Sequence, residues 1–314
     1  MTKECDILIL GAGPAGLTAG LYAARAGAKT IIVENMAAGG AIISTSHVGN
    51  YPGIPDVSGS DLGEKMREQA EAAGAEIIYD EIGSIDFSGN VVRCSTWSEA
   101  PSRCAGSISY KALIICTGTT PRKLDVPGEE EFFGSGVHTC ALCDGNFYRG
   151  KDVVVVGGGR SAVHEAIYLA AIAKTVTIVN ITEDFNAKET LVDKLNSLAN
   201  LKVFHSHKVT KVLGDKKVSD IEIQNVITNE TQIIDTNGVF VVIGRNPNTE
   251  LLGGKIELSK GGYIKVNDKL QTNIAGVFAA GDVTEKHVRQ VITACSDGAV
   301  AATHAVEHVQ QVGR

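Results

Sequence analysis

Short apolar runs recur along this chain, and two of them run straight into glycine. Asp6-Ile7-Leu8-Ile9-Leu10 ends at Gly11-Ala12-Gly13-Pro14-Ala15-Gly16, and Asp152-Val153-Val154-Val155-Val156 ends at Gly157-Gly158-Gly159-Arg160-Ser161-Ala162. Continuous apolar runs of this length predict strands buried on both faces. A small-residue helical pattern follows each turn, to about Ala28 and about Ala173, and then a second apolar run, Thr30–Val33 and Thr175–Val179. Strand, glycine turn, helix and strand in that order is the βαβ nucleotide-binding unit. The chain therefore carries it twice, and the fold class is α/β with two Rossmann-like, three-layer nucleotide-binding domains.

The remaining pattern fills in around these units. Residues 36–60 read as a loop, and 61–74 as an amphipathic helix with Leu62, Met66 and Ala70 on one face. Short strands and turns occupy 75–112, and Leu113–Cys116 is another buried strand, ending at Thr117-Gly118. Thr119-Thr120-Pro121-Arg122 and Val126-Pro127-Gly128 have the composition of a linker. Strands are expected at 201–213, 218–224, 230–234 and 238–244, with Arg245-Asn246-Pro247-Asn248 as a second crossing. A strand over Thr272–Asp282 closes on Gly281-Asp282, and Arg289-Gln290-Val291-Ile292-Thr293-Ala294 opens a small-residue helix to about Val309.

The two glycine turns differ in chemistry. In the first, Gly11 makes the turn, Gly13 lets the backbone approach a pyrophosphate, and Gly16 lets helix and strand pack closely. The pyrophosphate would rest on the helix N-terminus, with Glu34 placed for a ribose hydroxyl. In the second, the strand end that should carry an acid or arginines carries Asn180-Ile181-Thr182 instead. Just before that second unit stands Cys140-Ala141-Leu142-Cys143-Asp144-Gly145. Residues three apart share a helical face, so the two sulfurs can meet, and a helix start would lower a thiol pKa. A zinc site would want a second such pair or histidines at ligand spacing, and none follows, so no metal is expected. His47 and His164 carry no such spacing and read as ordinary surface or core residues.

Composition narrows the classes. At 314 residues the chain is long enough for about two domains, and 35 glycines suit many tight strand-to-helix turns. A net charge of −7 argues against general nucleic-acid or membrane-surface affinity. No run reaches transmembrane length, which points to the cytoplasm. In that reducing setting Cys5, Cys94, Cys104, Cys116 and Cys295 are expected as free thiols, leaving the 140/143 pair as the exception.

Together, the opening glycine turn, the Asn50-Tyr51-Pro52-Gly53 loop, the Cys140–Asp144 segment, the second glycine turn, Gly281-Asp282 and Arg289-Gln290 resemble the low-molecular-weight thioredoxin reductases. The resemblance implies an FAD domain made of 1–117 and 246–314, with a second domain, 118–245, inserted and carrying the redox pair. It implies a homodimer that reduces thioredoxin or a thioredoxin-like protein. Cys140 and Cys143 would be the redox disulfide and Asp144 the proton donor. Gly11, Gly13, Pro14, Ala15, Glu34, Gly40, Asn50, Ile82, Thr117, Gly118, Gly281, Asp282, Arg289, Gln290, Val291 and Ala294 would line the FAD. NADPH-using members carry a His-Arg-Arg…Arg cluster after the second strand of the inserted domain, where this chain has Asn180, Ile181, Thr182 and Asn186. Each lost charge-assisted phosphate contact costs roughly 1.5–3 kcal/mol. The pattern is similar to the branch of the family in which reduced ferredoxin feeds the flavin. NADPH held by other residues, a small-molecule dithiol oxidase and a flavin-bound redox sensor stand as alternatives.

Overall fold

The computed structural model describes residues 2–45, 47–94 and 106–312. It divides into two compact units, Met1–Thr120 with Asn246–Arg314, and Pro121–Arg245. The first opens with β1 (Thr2–Glu4), β2 (Ile7–Leu10), α1 (Pro14–Arg25), β3 (Thr30–Glu34), α2 (Gly59–Ala72) and β4 (Glu76–Tyr79). Then come β5 (Ile82–Asp86), β6 (Val91–Cys94), β7 (Ser107–Ser109), β8 (Ala112–Ile115) and, at the boundary, β9 (Thr119–Pro121). The second unit holds β10 (Val137–His138), α3 (Ala141–Asp144), β11 (Asp152–Val156), α4 (Arg160–Ala170), β12 (Thr175–Val179) and α5 (Glu189–Asn196). It continues with β13 (Leu201–Phe204), β14 (His207–Gly214), β15 (Val218–Asn225), β16 (Thr231–Asp235) and β17 (Gly238–Val241). The chain returns through β18 (Arg245–Pro247), which pairs with β9, and ends with β19 (Val277–Ala279) and α6 (Val291–Val312).

Both units solve the same packing problem. In the first, a parallel sheet of order β19-β8-β2-β3-β4 buries both faces. Side chains alternate across it, so Ile7, Ile9 and Ile32 pack toward α1 and α6 while Leu8, Leu10 and Ile31 pack toward the smaller β1-β7-β6-β5 sheet. This explains why the strands read as unbroken apolar runs. The α1–α6 contact is built on alanine and glycine, and a Cβ on Gly298 would stand 2.1 Å from the Ala15 carbonyl oxygen. In the second unit the parallel sheet is β10-β17-β11-β12-β13. Val153, Val155 and Ile178 face α4, and Val154, Val156 and Val179 face the antiparallel β14-β15-β16 layer. Among the described residues no helix is long and apolar enough to cross a membrane.

Some expected elements changed. The strand expected at 201–213 breaks at Ser206, whose φ of +57° ends β13 in the parallel sheet and starts β14 in another layer. The helix expected from 61 starts at Gly59, because the Ser58 hydroxyl accepts the Asp61 N–H at 3.0 Å and caps it. Only Val277–Ala279 of the long strand expected over 272–282 is extended in the sheet, since its neighbour β8 offers only Leu113–Ile115 to pair with. Thr119–Pro121 is a paired strand rather than loose linker, and Val126–Gly128 packs into the second unit, with the Pro127 carbonyl accepting from Val212. Cys5, Cys116 and Cys295 are free and buried, whereas Cys94 is disulfide-bonded, which corrects its expected free thiol; Cys104 lies outside the described residues. Burial pushes the Cys5 thiol up to about 12 and raises that of Cys116 as well, so both are inert at neutral pH.

Candidate active site

The first glycine turn leaves a helix end open. Gly11 adopts φ +99° and its added Cβ would stand 2.5 Å from the Cys116 carbonyl oxygen, so only glycine fits. Gly13 is the N-cap of α1 and makes no side-chain cap, Pro14 takes the first turn, where its missing N–H is harmless, and Ala15 is buried beside them. Gly40, at φ +60°, crosses Gly13 so closely that a Cβ would sit 2.8 Å from the Gly13 Cα. Glu34 ends β3, is buried, and accepts the Ala12 N–H at 2.8 Å on one oxygen and the Met36 N–H at 3.0 Å on the other. A carboxylate has about four lone-pair directions, so capacity remains for a hydroxyl. Ile82 begins β5 two residues past Asp80, whose N–H donates to the Glu34 carbonyl.

Distant segments of the same unit meet this turn. Gly281, at φ +80°, packs against Ala15, where a Cβ would come within 2.8 Å of the alanine methyl, and donates its N–H to Asp297 at 2.9 Å. Lys286 pairs with that Asp297. Asp282 follows in a short 3-10 turn, Gly281–Val283. Asn50 donates to Gln290 at 2.9 Å across 240 residues of sequence, and Val291 and Ala294 form the first turn of α6 behind Gln290. Thr117 and Gly118 are tied to the return crossing, since Asn248 donates to the Thr117 carbonyl at 2.8 Å and to the Gly118 carbonyl at 3.1 Å. The Arg289 guanidinium lies 4.3 Å from the Tyr263 ring centre and donates to the Lys286 carbonyl at 3.1 Å.

The second glycine turn has the same backbone but a different occupant. Asn180, 1% exposed, directs its side chain at Gly158 so that an added Cβ there would stand 2.0 Å from Oδ1. Its amide nitrogen donates to the Asp184 carbonyl at 3.0 Å and meets His205 Nδ1 at 3.3 Å. Its oxygen accepts the Thr182 N–H at 3.3 Å, and the Thr182 hydroxyl, with one hydrogen to give, stands 3.0 Å from that oxygen and 2.7 Å from the Asp184 carbonyl. Nitrogen and oxygen of the amide are thus both partnered inside the chain. The Asn186 N–H donates to the Gly158 carbonyl at 2.8 Å, folding 180–186 back against the turn.

In the second unit Cys140 and Cys143 form a disulfide with Cα atoms 5.4 Å apart. Cys140 is the N-cap of the single-turn α3, and its sulfur accepts the Cys143 N–H at 3.2 Å. Leu142 and Phe147 beside it are each 45% exposed. Three groups that the sequence did not single out as functional surround the pair. His138, at the end of β10, is buried with Nδ1 3.4 Å from Asp144 and Nε2 2.7 Å from the Tyr148 hydroxyl. Tyr148 is pushed up to about 12 by burial and then by the Asp144 charge. Glu165 on α4 accepts the Ala141 N–H at 2.8 Å, and burial pushes it up to about 7 against that hydrogen bond and Arg245. No spacing rule joins these residues, because they converge from a strand end, a turn and a helix. Among the described residues no cluster of His, Cys, Asp or Glu could hold a metal ion.

One glycine turn that brings an uncapped helix end to a fixed carboxylate, a second with Asn180 in the carboxylate's place, and a Cys140–Cys143 disulfide in the second unit are the parts of a flavin disulfide oxidoreductase. The family model described as Pyridine nucleotide-disulphide oxidoreductase matches residues 5–298. A thioredoxin reductase from Peptoclostridium acidaminophilum is 41% identical, covering 99% of this chain and 98% of that one. The crystal structure of thioredoxin reductase from Streptococcus pyogenes is 38% identical with a TM-score of 0.88, covering 98% of this chain and 99% of that chain. A Ferredoxin-Flavin Thioredoxin Reductase from Clostridium acetobutylicum is 29% identical with a TM-score of 0.52, covering 99% and 100%. The chain belongs to the pyridine nucleotide-disulphide oxidoreductases and, within them, is of the thioredoxin reductase type. Its cofactor is FAD. The first turn fits that group, offering an open helix end for phosphate and a buried carboxylate with spare acceptor capacity.

Proposed function

We propose that this protein is a thioredoxin reductase whose flavin is reduced by ferredoxin and not by a nicotinamide nucleotide. The observation that carries this reading is Asn180, whose side chain lies over Gly158 with its amide nitrogen and oxygen both partnered within the chain. A dinucleotide would have to displace it and would then meet Ile181 and Thr182 where a phosphate needs cations. Energetics favour the alternative donor. A plant-type ferredoxin near about −400 mV lies roughly 130 mV below thioredoxin, about 6 kcal/mol downhill for two electrons. Net charge −7 is awkward for an acidic partner, but Arg149, Lys151 and Arg160 lie exposed on the second unit.

In this reading, 1–117 and 246–314 are the FAD domain and 118–245 the inserted domain. Gly11, Gly13, Pro14, Ala15 and Gly40 receive the pyrophosphate, and Glu34 and Ile82 the adenosine end. Asn50, Thr117, Gly118, Gly281, Asp282, Arg289, Gln290, Val291 and Ala294 line the remainder. The bound flavin supplies a centre that accepts electrons singly and passes them on in pairs. Cys140 and Cys143 take that pair, Asp144 carries a proton for the sulfurs, and Leu142 with Phe147 gives thioredoxin an apolar landing beside them. The working assembly is a cytoplasmic homodimer.

A second reading, reduction by NADPH, draws on two observations: α4 starts at Gly159 with no side-chain cap, and the 41% identical relative is named simply a thioredoxin reductase. Anaerobic stopped-flow separates the two. Reduced ferredoxin should bleach the flavin at least about 10²-fold faster than NADPH or NADH at equal concentration, the loss expected from about 3 kcal/mol of missing contacts. Rapid, saturable bleaching by micromolar NADPH would refute the ferredoxin reading.

A further inference from the structure

We infer that His138 is a positioning residue for the dithiol–disulfide exchange, holding Asp144 ready to take and return the proton of the redox pair. The inference rests on the reading of Asp144 as that proton carrier. His138 is 8% exposed and sits between two partners, Asp144 on Nδ1 at 3.4 Å and the Tyr148 hydroxyl on Nε2 at 2.7 Å. The ring is clamped by stacking on Phe240, with centroids 5.4 Å apart and planes 28° apart, and by the edge of Tyr148. Tyr148 is itself wedged, since a Cβ on Gly238 would come within 2.2 Å of its ring. With a polar partner at each ring nitrogen the buried imidazole is satisfied, and its orientation toward Asp144 is fixed from both sides.

The carboxylate decides the tautomer: it can only accept, so the ring nitrogen beside it, Nδ1 at 3.4 Å, carries the hydrogen. Nε2 then accepts from the Tyr148 hydroxyl, which burial keeps protonated at neutral pH, pushed up to about 12. The Nδ1 N–H fixes the side of the carboxylate that carries Oδ2, leaving Oδ1 for the sulfurs. When the dithiol meets the disulfide of thioredoxin, a thiol of the pair gives its proton to Asp144 and its thiolate attacks one sulfur of the thioredoxin disulfide. That S–S bond breaks and a mixed disulfide forms. The second thiol of the pair, losing its proton, then closes Cys140–Cys143 and expels the thioredoxin thiolate. The proton on Asp144 and that of the second thiol leave with thioredoxin, so two electrons and two protons have moved. His138 keeps its proton throughout.

The other titratable groups around this cluster are few. Glu165 and Tyr168 come from α4, Lys151 lies 5.5 Å from the Tyr148 ring centre, Arg245 acts on Glu165, and β17 contributes apolar Phe240. Glu165 titrates near neutrality, so the test is run in a Glu165→Gln background as well as in the native sequence.

The experiment is single-turnover oxidation of the reduced holoenzyme by thioredoxin, followed across about pH 5.5 to 9. His138→Ala should lower the limiting rate about tenfold, a fraction of what a general acid–base group supplies. The half-saturating thioredoxin concentration should not change. The acidic limb should move to higher pH, because a carboxylate that loses a donor becomes more basic. His138→Asn, whose amide N–H can replace Nδ1–H, should restore most of the rate and the profile, and Tyr148→Phe should fall between the two. Native rate and profile in His138→Ala overturn the inference, as does equal loss in His138→Ala and His138→Asn with an unmoved profile, which would mean packing alone. Asp144→Asn separates the failures: if it too is as fast as the native protein, the reading of Asp144 falls and takes this inference with it. If it is slow while His138→Ala is normal, only the inference falls.

Discussion

The two glycine turns are the same backbone with opposite fates. At the end of β3, Glu34 is held by the Ala12 and Met36 N–H groups and keeps acceptor capacity for a ligand. At the end of β12, the equivalent Asn180 spends itself on Asp184, His205 and Thr182, over Gly158. The third small residue also differs. Gly16 would place a Cβ 1.8 Å from the Gly11 carbonyl oxygen, whereas the second turn has Ala162, fully buried and tolerated. What a nucleotide fold offers a ligand therefore depends on what one strand-end side chain does with its hydrogen bonds, and in this chain the second unit also carries the disulfide.

The sharpest separation of the halves comes from Cys140→Ser with Cys143→Ser. Thioredoxin turnover should fall by at least about 10³-fold, as for loss of a catalytic nucleophile, while the flavin absorbance and its reduction by the donor stay intact. Loss of FAD in that variant would break the division of labour. Next in size is Glu165, whose folded value of about 7 lies above its ordinary 4.5. Its contribution is then fully present below pH 4.5 and is lost as pH rises through about 7, a change of about 3 kcal/mol at most. Denaturant unfolding near pH 5.5 and pH 8 should show that loss in the native protein, and Glu165→Gln should flatten it. A native midpoint that does not move would count against burial as the dominant influence on this carboxyl. The smallest effects compare the turns directly. Gly16→Ala should cost about 1–3 kcal/mol by overpacking and lower the FAD retained on purification. Ala162→Gly should cost about 1 kcal/mol, a helix-propensity loss, with FAD retention unchanged. Equal FAD loss in both would erase the asymmetry between the halves.

Much of the architecture was legible because it follows from short-range rules. Apolar runs ending in glycine turns located β2 and β11, the apolar runs after the following helices located β3 and β12, and the spacing of Cys140 and Cys143 anticipated their disulfide. Where reading failed, a local pattern was overruled by a turn or a pairing partner. Val203 and Val209 look like one strand until the left-handed Ser206 sends them into different sheets. The placing of Arg289 over the Tyr263 ring was likewise not legible, since it depends on two segments that only the folded unit brings together.

The sequence by itself determined the duplicated strand–turn–helix scaffold, the vicinal thiols and the missing cations at Asn180–Thr182, because each is a matter of periodicity, spacing or composition. Only the tertiary structure decided that Asn180 fills its own turn, that Asn50 meets Gln290, and that His138 stands between Asp144 and Tyr148. Hydrogen-bond partnership is a property of atoms a few ångströms apart, and buried polar groups take whichever partners the packed layers deliver.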